Sequence, residues 1–351
     1  MQEGVNVEHF AGSCRYVTHD LVKAAIASAF AVVACGGGRN SAVDAPANSD
    51  GATAYTTLSA QHPGDVGLAS DPAVIWYEDF EAATVAAVTG RYDQAQGTAR
   101  MAKVAGSTGT GLAFTAGGAV SAVDLYKQLP NHDELFVRWY ANYQAGVPWH
   151  HSGMWIGGYN PAMAFPSPQA GNKPVGNDRF SIAVEPVYGV GAANPRFDFY
   201  NYWMAMHSWM ETPTNDGTSY YGNGLVHQNG FTIDEGNWVC LEMHIKLNPN
   251  PAAGAGAVLE VWKNDAPVIR FDDGGPLGYW IRDKFCPIGA NGSECTDYPA
   301  PATERLDLQL RSTAALALNA FWPQNYVTDA AQGTLTLDQM VVATSRVGCT
   351  R

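Results

Sequence analysis

Positive charge is scarce in this sequence. Lys and Arg number 20 against 33 Asp and Glu, a formal net charge of −13. Phosphate binding needs a basic face, so a nucleic-acid partner is not expected. Diffuse attraction to an acidic polysaccharide is disfavoured too, unless a local basic groove overrides it. Charged residues of either sign reach only 15%. The apolar run from Ala24 to Ala34 is too short to cross a bilayer as a helix. After it there is no sustained 3.6-residue periodicity, no internal repeat, and no dinucleotide or phosphate-loop glycine pattern. Closely spaced cysteine pairs of the C-x₂-C kind are missing, which leaves a zinc-finger-like site without support.

What remains is a chain made for strands and turns. Gly (37) and Pro (20) are plentiful, and 46% of residues are hydrophobic, enough for a sizeable core. ELFVRWYANY, Glu134 to Tyr143, alternates strictly. Leu135, Val137, Trp139 and Ala141 share one face, and Phe136, Arg138, Tyr140 and Asn142 the other. WVCLEMHIKLN, Trp238 to Asn248, puts Val239, Leu241, Met243, Ile245 and Leu247 on a core face, opposite Cys240, Glu242, His244 and Lys246. VLEVWKN from Val258 turns at Asn264-Asp265 into Pro267 to Phe271. RLDLQLR (Arg305 to Arg311) and TLTLDQMVVA (Thr334 to Ala343) read as two more strands. Strands with one apolar and one polar face pack as two antiparallel sheets, so the predicted fold is an all-β jelly-roll sandwich with a groove on a curved sheet.

The N-terminal part reads as export. Lys23 precedes the apolar run, which fits a signal-peptide core. Val32-Val33-Ala34-Cys35 resembles the bacterial lipobox, which implies lipidation of Cys35. A short buried helix is the plainer alternative. About twenty residues precede Lys23, long for a charged leader, and Val22 is a candidate start. The expected division is residues 1–35 as leader and signal, 36–71 as a flexible linker rich in small and polar residues, and 72–351 as one jelly-roll domain. The expected location is a bacterial outer membrane or cell surface, or the medium. The membrane is touched only through the lipid, and the protein is a monomer. Beyond Cys14 and Cys35, four cysteines remain. Cys286 and Cys295 bracket a turn-rich loop and form the favoured pair, leaving Cys240 to join Cys349.

GNWVCLEMHIKLN, GAVLEVWKNDAPV and LTLDQMVVATSRVGC together resemble the C-terminal half of concanavalin-like polysaccharide lyases of the alginate and glucuronan lyase kind. ELFVRWYANYQAGVPWHHSGMWIGGYN resembles the first groove strand of that family, and Phe321-Trp322 its aromatic pair. The likeness runs from Val74 to the end. It implies a jelly roll that cleaves an acidic, uronate polysaccharide by β-elimination. The Arg-Glu-Leu-Arg and Gln-Ile-His signatures of classical alginate lyases are absent. So is the Glu-x-Asp-x-x-Glu signature of jelly-roll glucanases, which disfavours hydrolysis by paired carboxylates. The alternative is a noncatalytic carbohydrate-binding surface lipoprotein.

A uronate lyase needs a cation or donor for the carboxylate, a base for the adjacent C–H, and an acid for the leaving oxygen. Arg138 is the candidate cation, with Tyr140 and Asn142 beside it. His150 and His151 are candidate bases, Tyr200 and Tyr202 candidate acids, and His244 and Glu242 project from the neighbouring strand's polar face. Each has a plainer reading: Arg138 paired with Glu242, the two His solvated or packed on Trp149, and the two Tyr lining a groove. Trp149 and Trp155 lead an aromatic cluster suited to sugar faces. No cofactor is required. Glu78, Asp79 and Asp338 would supply part of a structural calcium site, short of the six or more oxygens such an ion takes.

Overall fold

The computed structural model describes residues 56–116, 122–149, 151–187, 195–211, 217–295, 302–326 and 332–350. Two short helices, α1 (Leu58–Gln61) and α2 (Val85–Thr89), precede and follow the first strand. The strands in chain order are β1 (Val74–Glu78), β2 (Gln94–Gln96), β3 (Met101–Ala105), β4 (Thr110–Ala116), β5 (Val123–His132), β6 (Glu134–Tyr143), β7 (Ser152–Tyr159), β8 (Arg179–Val187) and β9 (Arg196–Tyr202). They continue with β10 (Trp238–Lys246), β11 (Val258–Lys263), β12 (Ala266–Phe271), β13 (Leu277–Ile281), β14 (Lys284–Pro287), β15 (Glu304–Arg305), β16 (Leu318–Asn325) and β17 (Gly333–Ala343).

An eight-stranded sheet runs β12-β11-β10-β6-β17-β4-β3, with β1 also paired to β17. A six-stranded sheet runs β2-β5-β16-β7-β8-β9, and a small sheet runs β14-β13-β15. All the ladders of the two large sheets are antiparallel. The result is a two-sheet jelly roll. Sequence neighbours separate into different sheets: β6 lies in the large sheet and β7 in the smaller one, as in a Greek-key sandwich.

The core is filled by the apolar halves of alternating strands. Leu135, Val137, Trp139, Ala141 and Tyr143 come from β6, and Leu241, Met243 and Ile245 from β10. They meet Phe180, Ile182 and Val184 of β8 and Phe197 and Phe199 of β9. The ring of Tyr143 stands 5.3 Å from that of Phe197, which fixes the inward face of β9. A side-chain period of two then turns Asp198, Tyr200 and Tyr202 onto the other face of the six-stranded sheet, away from this core layer.

Two expected features differ. The run Arg305–Arg311 keeps its alternation, with Leu306, Leu308 and Leu310 buried, but only Glu304–Arg305 is a ladder strand. Beyond Arg305 the backbone is tied by side chains: Asn248 Oδ1 accepts from the N–H groups of Leu310 and Arg311, and the Asp307 carbonyl accepts from Trp203 Nε1. The second difference lies in residues 56–71, expected to be linker. They pack on the outer face of the eight-stranded sheet. Leu58 and Leu68 are buried with Val341, Ala343 and Val347. Ser59 Oγ donates to the carbonyls of Val347 and Gly348. Three apolar or hydrogen-bonding anchors within a dozen small residues suffice to order the strap.

Both expected disulfides are present, Cys240–Cys349 and Cys286–Cys295. The first ties β10 to the C-terminal tail across the face that the strap covers.

Candidate functional site

The polar face that carries Arg138, Tyr140, Glu242 and His244 exists as the alternation predicts, but it is not a groove. It is the outer face of the eight-stranded sheet, sealed by the strap and by the tail from Arg346 to Thr350. Arg138 is fully buried and its guanidinium meets the Asp65 carboxylate at 2.5 Å. Arg138 and Glu242 are cross-strand neighbours, yet the close partner of Arg138 is Asp65. Glu242 accepts from the backbone N–H groups of Val347 (2.6 Å) and Gly348 (3.0 Å). Tyr140 bonds Thr350 through its hydroxyl, and Asn142 donates to the Gly236 carbonyl. His244 stacks on Phe136 at 4.0 Å between Glu134 and Glu260. This face is a closure seam that fastens both ends of the domain.

The calcium candidates each have protein partners. Glu78 is held by Arg91, and Asp338 accepts from Ser107 and from the backbone of Thr108 and Gln339. Asp79 accepts from the N–H of Glu81. Among the described residues these three form no metal-ligand cluster. Trp149 packs edge-on against Tyr143 inside the core. His150 and Cys35 lie outside the described residues.

The other three sequence candidates for acid–base work come together on the six-stranded sheet. Cross-strand register sets out three rows across β16, β7, β8 and β9. The middle row is Trp322, Trp155, Ala183 and Tyr200. Beside it run Gln324, Gly153, Glu185 and Asp198 on one side, and Ala320, Gly157, Ser181 and Tyr202 on the other. Trp155 and Trp322 stack nearly parallel, 5.4 Å between ring centres. The small residues Gly153, Gly157, Ala183 and Ala320 alternate with these large ones, and the rows are buried except at Tyr200 and Gln324.

His151 reaches this face from the residue before β7. Its Nδ1 lies 2.9 Å from Oε1 of Glu185, and its ring stands edge-on to Tyr200 at 4.9 Å. The phenol oxygens of Tyr200 and Tyr202 are 3.4 Å apart. The His151 side chain keeps 17% of its surface open while that of Glu185 keeps 1%, so the imidazole is the solvent-facing half of the pair. With Nδ1–H donated to the carboxylate, Nε2 is the basic nitrogen. His151 also holds a positive φ of 56°, a costly backbone for a side chain of this size. Burial raises both phenols. Tyr202 is pushed up to about 12 and Tyr200 well above its usual value, so both stay protonated at neutral pH. Burial raises the carboxyl of Glu185 as well, against the opposing pull of His151. An imidazole held by a buried carboxylate, two protonated phenols and a stacked Trp pair therefore share one face.

Three contributors escaped the sequence reading. Glu185 sits in RFSIAVEPV, which reads as a fully buried strand; the signal was a lone acid at period two from Ser181 and Ala183. Asp124 of β5 is buried beside Gln324 and Tyr126, and burial pushes its carboxyl up to about 6. A folded value above the unfolded one makes native stability fall as pH rises from about 4 to about 6. Asp124→Asn should therefore raise Tm at pH 7 and change it little at pH 4; equal shifts at both would show that the carboxylate charge is not the cause. Gly222 is the third. A Cβ built there would come within 2.4 Å of the Tyr200 ring, so glycine permits the 222–227 segment to lie flat on the phenol. Gly222→Ala should displace Tyr200 and lower Tm by a few degrees. An unchanged melt and an unchanged tyrosine environment would show that the segment does not rest on the phenol.

No protein-family model matches the sequence, and no curated protein does. Solved structures with a similar course of the chain include three lyases. A marine alginate lyase from Aplysia kurodai is 11% identical at a TM-score of 0.49, over 77% of this chain and 99% of that one. An alginate lyase from Chlorella virus is 12% identical at 0.47, over 77% and 99%. An endo-β-1,4-glucuronan lyase from Trichoderma reesei is 11% identical at 0.40, over 78% and 96%. At these values no residue of those enzymes is carried onto this chain.

Proposed function

We propose that this protein works on an acidic polysaccharide where His151 reaches the surface beside Tyr200, as a lyase that cleaves a uronate polymer by β-elimination. The observation that carries the reading is the buried His151–Glu185 pair set against the hydroxyls of Tyr200 and Tyr202. His151 takes the proton beside the uronate carboxylate, and a Tyr phenol protonates the departing glycosidic oxygen. The stacked Trp155 and Trp322 pack beneath Tyr200 and hold it in place. Glu185 fixes the imidazole orientation and balances the imidazolium that forms. Export and the Cys35 lipid anchor belong to the same proposal: the domain acts outside the cell, tethered or released.

One observation favours a second reading. Among the described residues neither Tyr200 nor Tyr202 has an Arg or Lys partner. Arg138, the cation expected to grip the carboxylate, is locked to Asp65 behind the other sheet. Rings and hydrogen-bond donors with no carboxylate clamp among the described residues suit noncatalytic carbohydrate binding. The two readings separate by assay on alginate, glucuronan and other uronate polymers. Elimination creates an unsaturated uronate that absorbs in the ultraviolet, and Tyr200→Phe should lose it. Retardation in a polysaccharide gel with no such absorbance would leave only the binding reading. Neither result would refute a role in carbohydrate recognition; absence of both would.

A further inference from the structure

A second histidine, buried and unused by the chemistry above, stands at the far edge of the six-stranded sheet. His227 is 2% exposed and holds a positive φ of 49°. Its Nδ1 meets Oε1 of Glu294 at 2.6 Å. Its Nε2 makes no hydrogen bond of normal length and angle, although Gly224 lies beside it. A ring nitrogen of His227 and the Sγ atoms of Cys286 and Cys295 all lie within 4.8 Å of one another. Asp198 is already committed, accepting from the backbone N–H groups of Phe199, Leu225, Val226 and His227.

We propose that Cys286, Cys295 and His227 form a zinc site when the cysteine pair is in its dithiol state, the disulfide being the oxidised, metal-free form of the same site. The donor set is two thiolates and one imidazole, the soft and borderline ligands that zinc prefers. Zinc-bound histidine as a rule donates its other ring N–H to a carboxylate, and Glu294 stands in that position against Nδ1. The two cysteines have Cα atoms 5.7 Å apart. Zinc–sulfur bonds of about 2.3 Å at a tetrahedral centre need sulfurs about 3.8 Å apart, which side-chain rotation reaches from that spacing. Glu294 also pairs with Arg196, which helps to hold its carboxylate against the ring, and a water would complete the four-coordinate set. The steps balance. Two equivalents of a small thiol reduce the disulfide to two protein thiols and are oxidised to their own disulfide. Zinc then displaces two protons as the thiolates bind.

The test uses the full exported chain with cobalt(II) as a visible stand-in for zinc, added after thiol reduction and removal of excess reductant. The expected result is one cobalt per chain with a thiolate-to-cobalt charge-transfer band, displaced by zinc. The oxidised protein should show no band, and neither should Cys286→Ser/Cys295→Ser reduced in the same way, which controls for Cys240 and Cys349. Glu294→Gln should weaken binding by about 10- to 100-fold, and His227→Ala by more. Reduced protein that keeps its circular dichroism but binds no cobalt would overturn the site. So would equal binding by the double Ser variant, or loss of the native fold on reduction, because the site needs the fold to exist.

Discussion

Arg138→Ala should lower the stability of the domain by about 3–5 kcal/mol while leaving any cleavage by the folded fraction intact. The pair with Asp65 has side chains 0% and 1% exposed. Removing one partner strands the other charge where water cannot reach it, and that desolvation sets the size of the loss. In a domain of this length the loss corresponds to roughly 5–15 °C in Tm. Asp65→Ala should lose a similar amount. Arg138→Leu combined with Asp65→Leu should recover most of it, because an apolar pair leaves no buried charge behind. Denaturant melts of the four proteins show whether the loss follows the stranded charge. A melt unchanged in Arg138→Ala would mean that the strap from Thr57 to Asp71 does not close on the sheet. A folded Arg138→Ala that alone loses turnover would return Arg138 to the chemistry.

His151→Ala should have a different signature: turnover on a uronate polymer lower by about 10²- to 10⁴-fold, the usual worth of a positioned general base, with a stability loss that Glu185 limits by taking up a proton. The imidazole is partly open and carries a backbone conformation that a side chain of this kind does not favour. It also leaves Glu185 without its partner, so Glu185 should take up a proton more readily, and His151→Ala/Glu185→Gln should melt no lower than His151→Ala. Turnover divided by folded fraction separates this variant from Arg138→Ala, since one loses rate and the other loses fold. A His151→Ala protein with wild-type turnover would exclude the imidazole as base.

The strands of the eight-stranded sheet were legible because each has one wet-looking and one dry face. β6, β10, β11 and β17 all read by period two, and the faces deduced for Arg138, Glu242 and His244 are the faces found. What covers such a face is a long-range fact. Asp65 lies 73 residues from Arg138, and Val347 lies 105 from Glu242, with no local pattern to announce either contact. A polar face thus looked like a groove when it was a seam. The site on the other sheet was half visible. Tyr200 and Tyr202 alternate in FDFYNYW and His151 follows Trp149, but their meeting depends on β7, β8 and β9 lying side by side. Glu185 was hidden by its apolar neighbours. Residues 56–71 looked like linker because Leu58, Asp65 and Leu68 are sparse anchors among small residues, and their partners sit at the other end of the chain.

The most direct test of the central claim is cleavage of a uronate polymer in water enriched in heavy oxygen, with products read by mass spectrometry. Elimination breaks the glycosidic bond without adding water. The expected products from wild-type protein are therefore unsaturated oligosaccharides with no cleavage-derived heavy oxygen, and they should be absent with His151→Ala. Saturated products that carry the label at the new reducing end would mean hydrolysis, and would contradict the assignment of His151 and the two tyrosines as an eliminating pair.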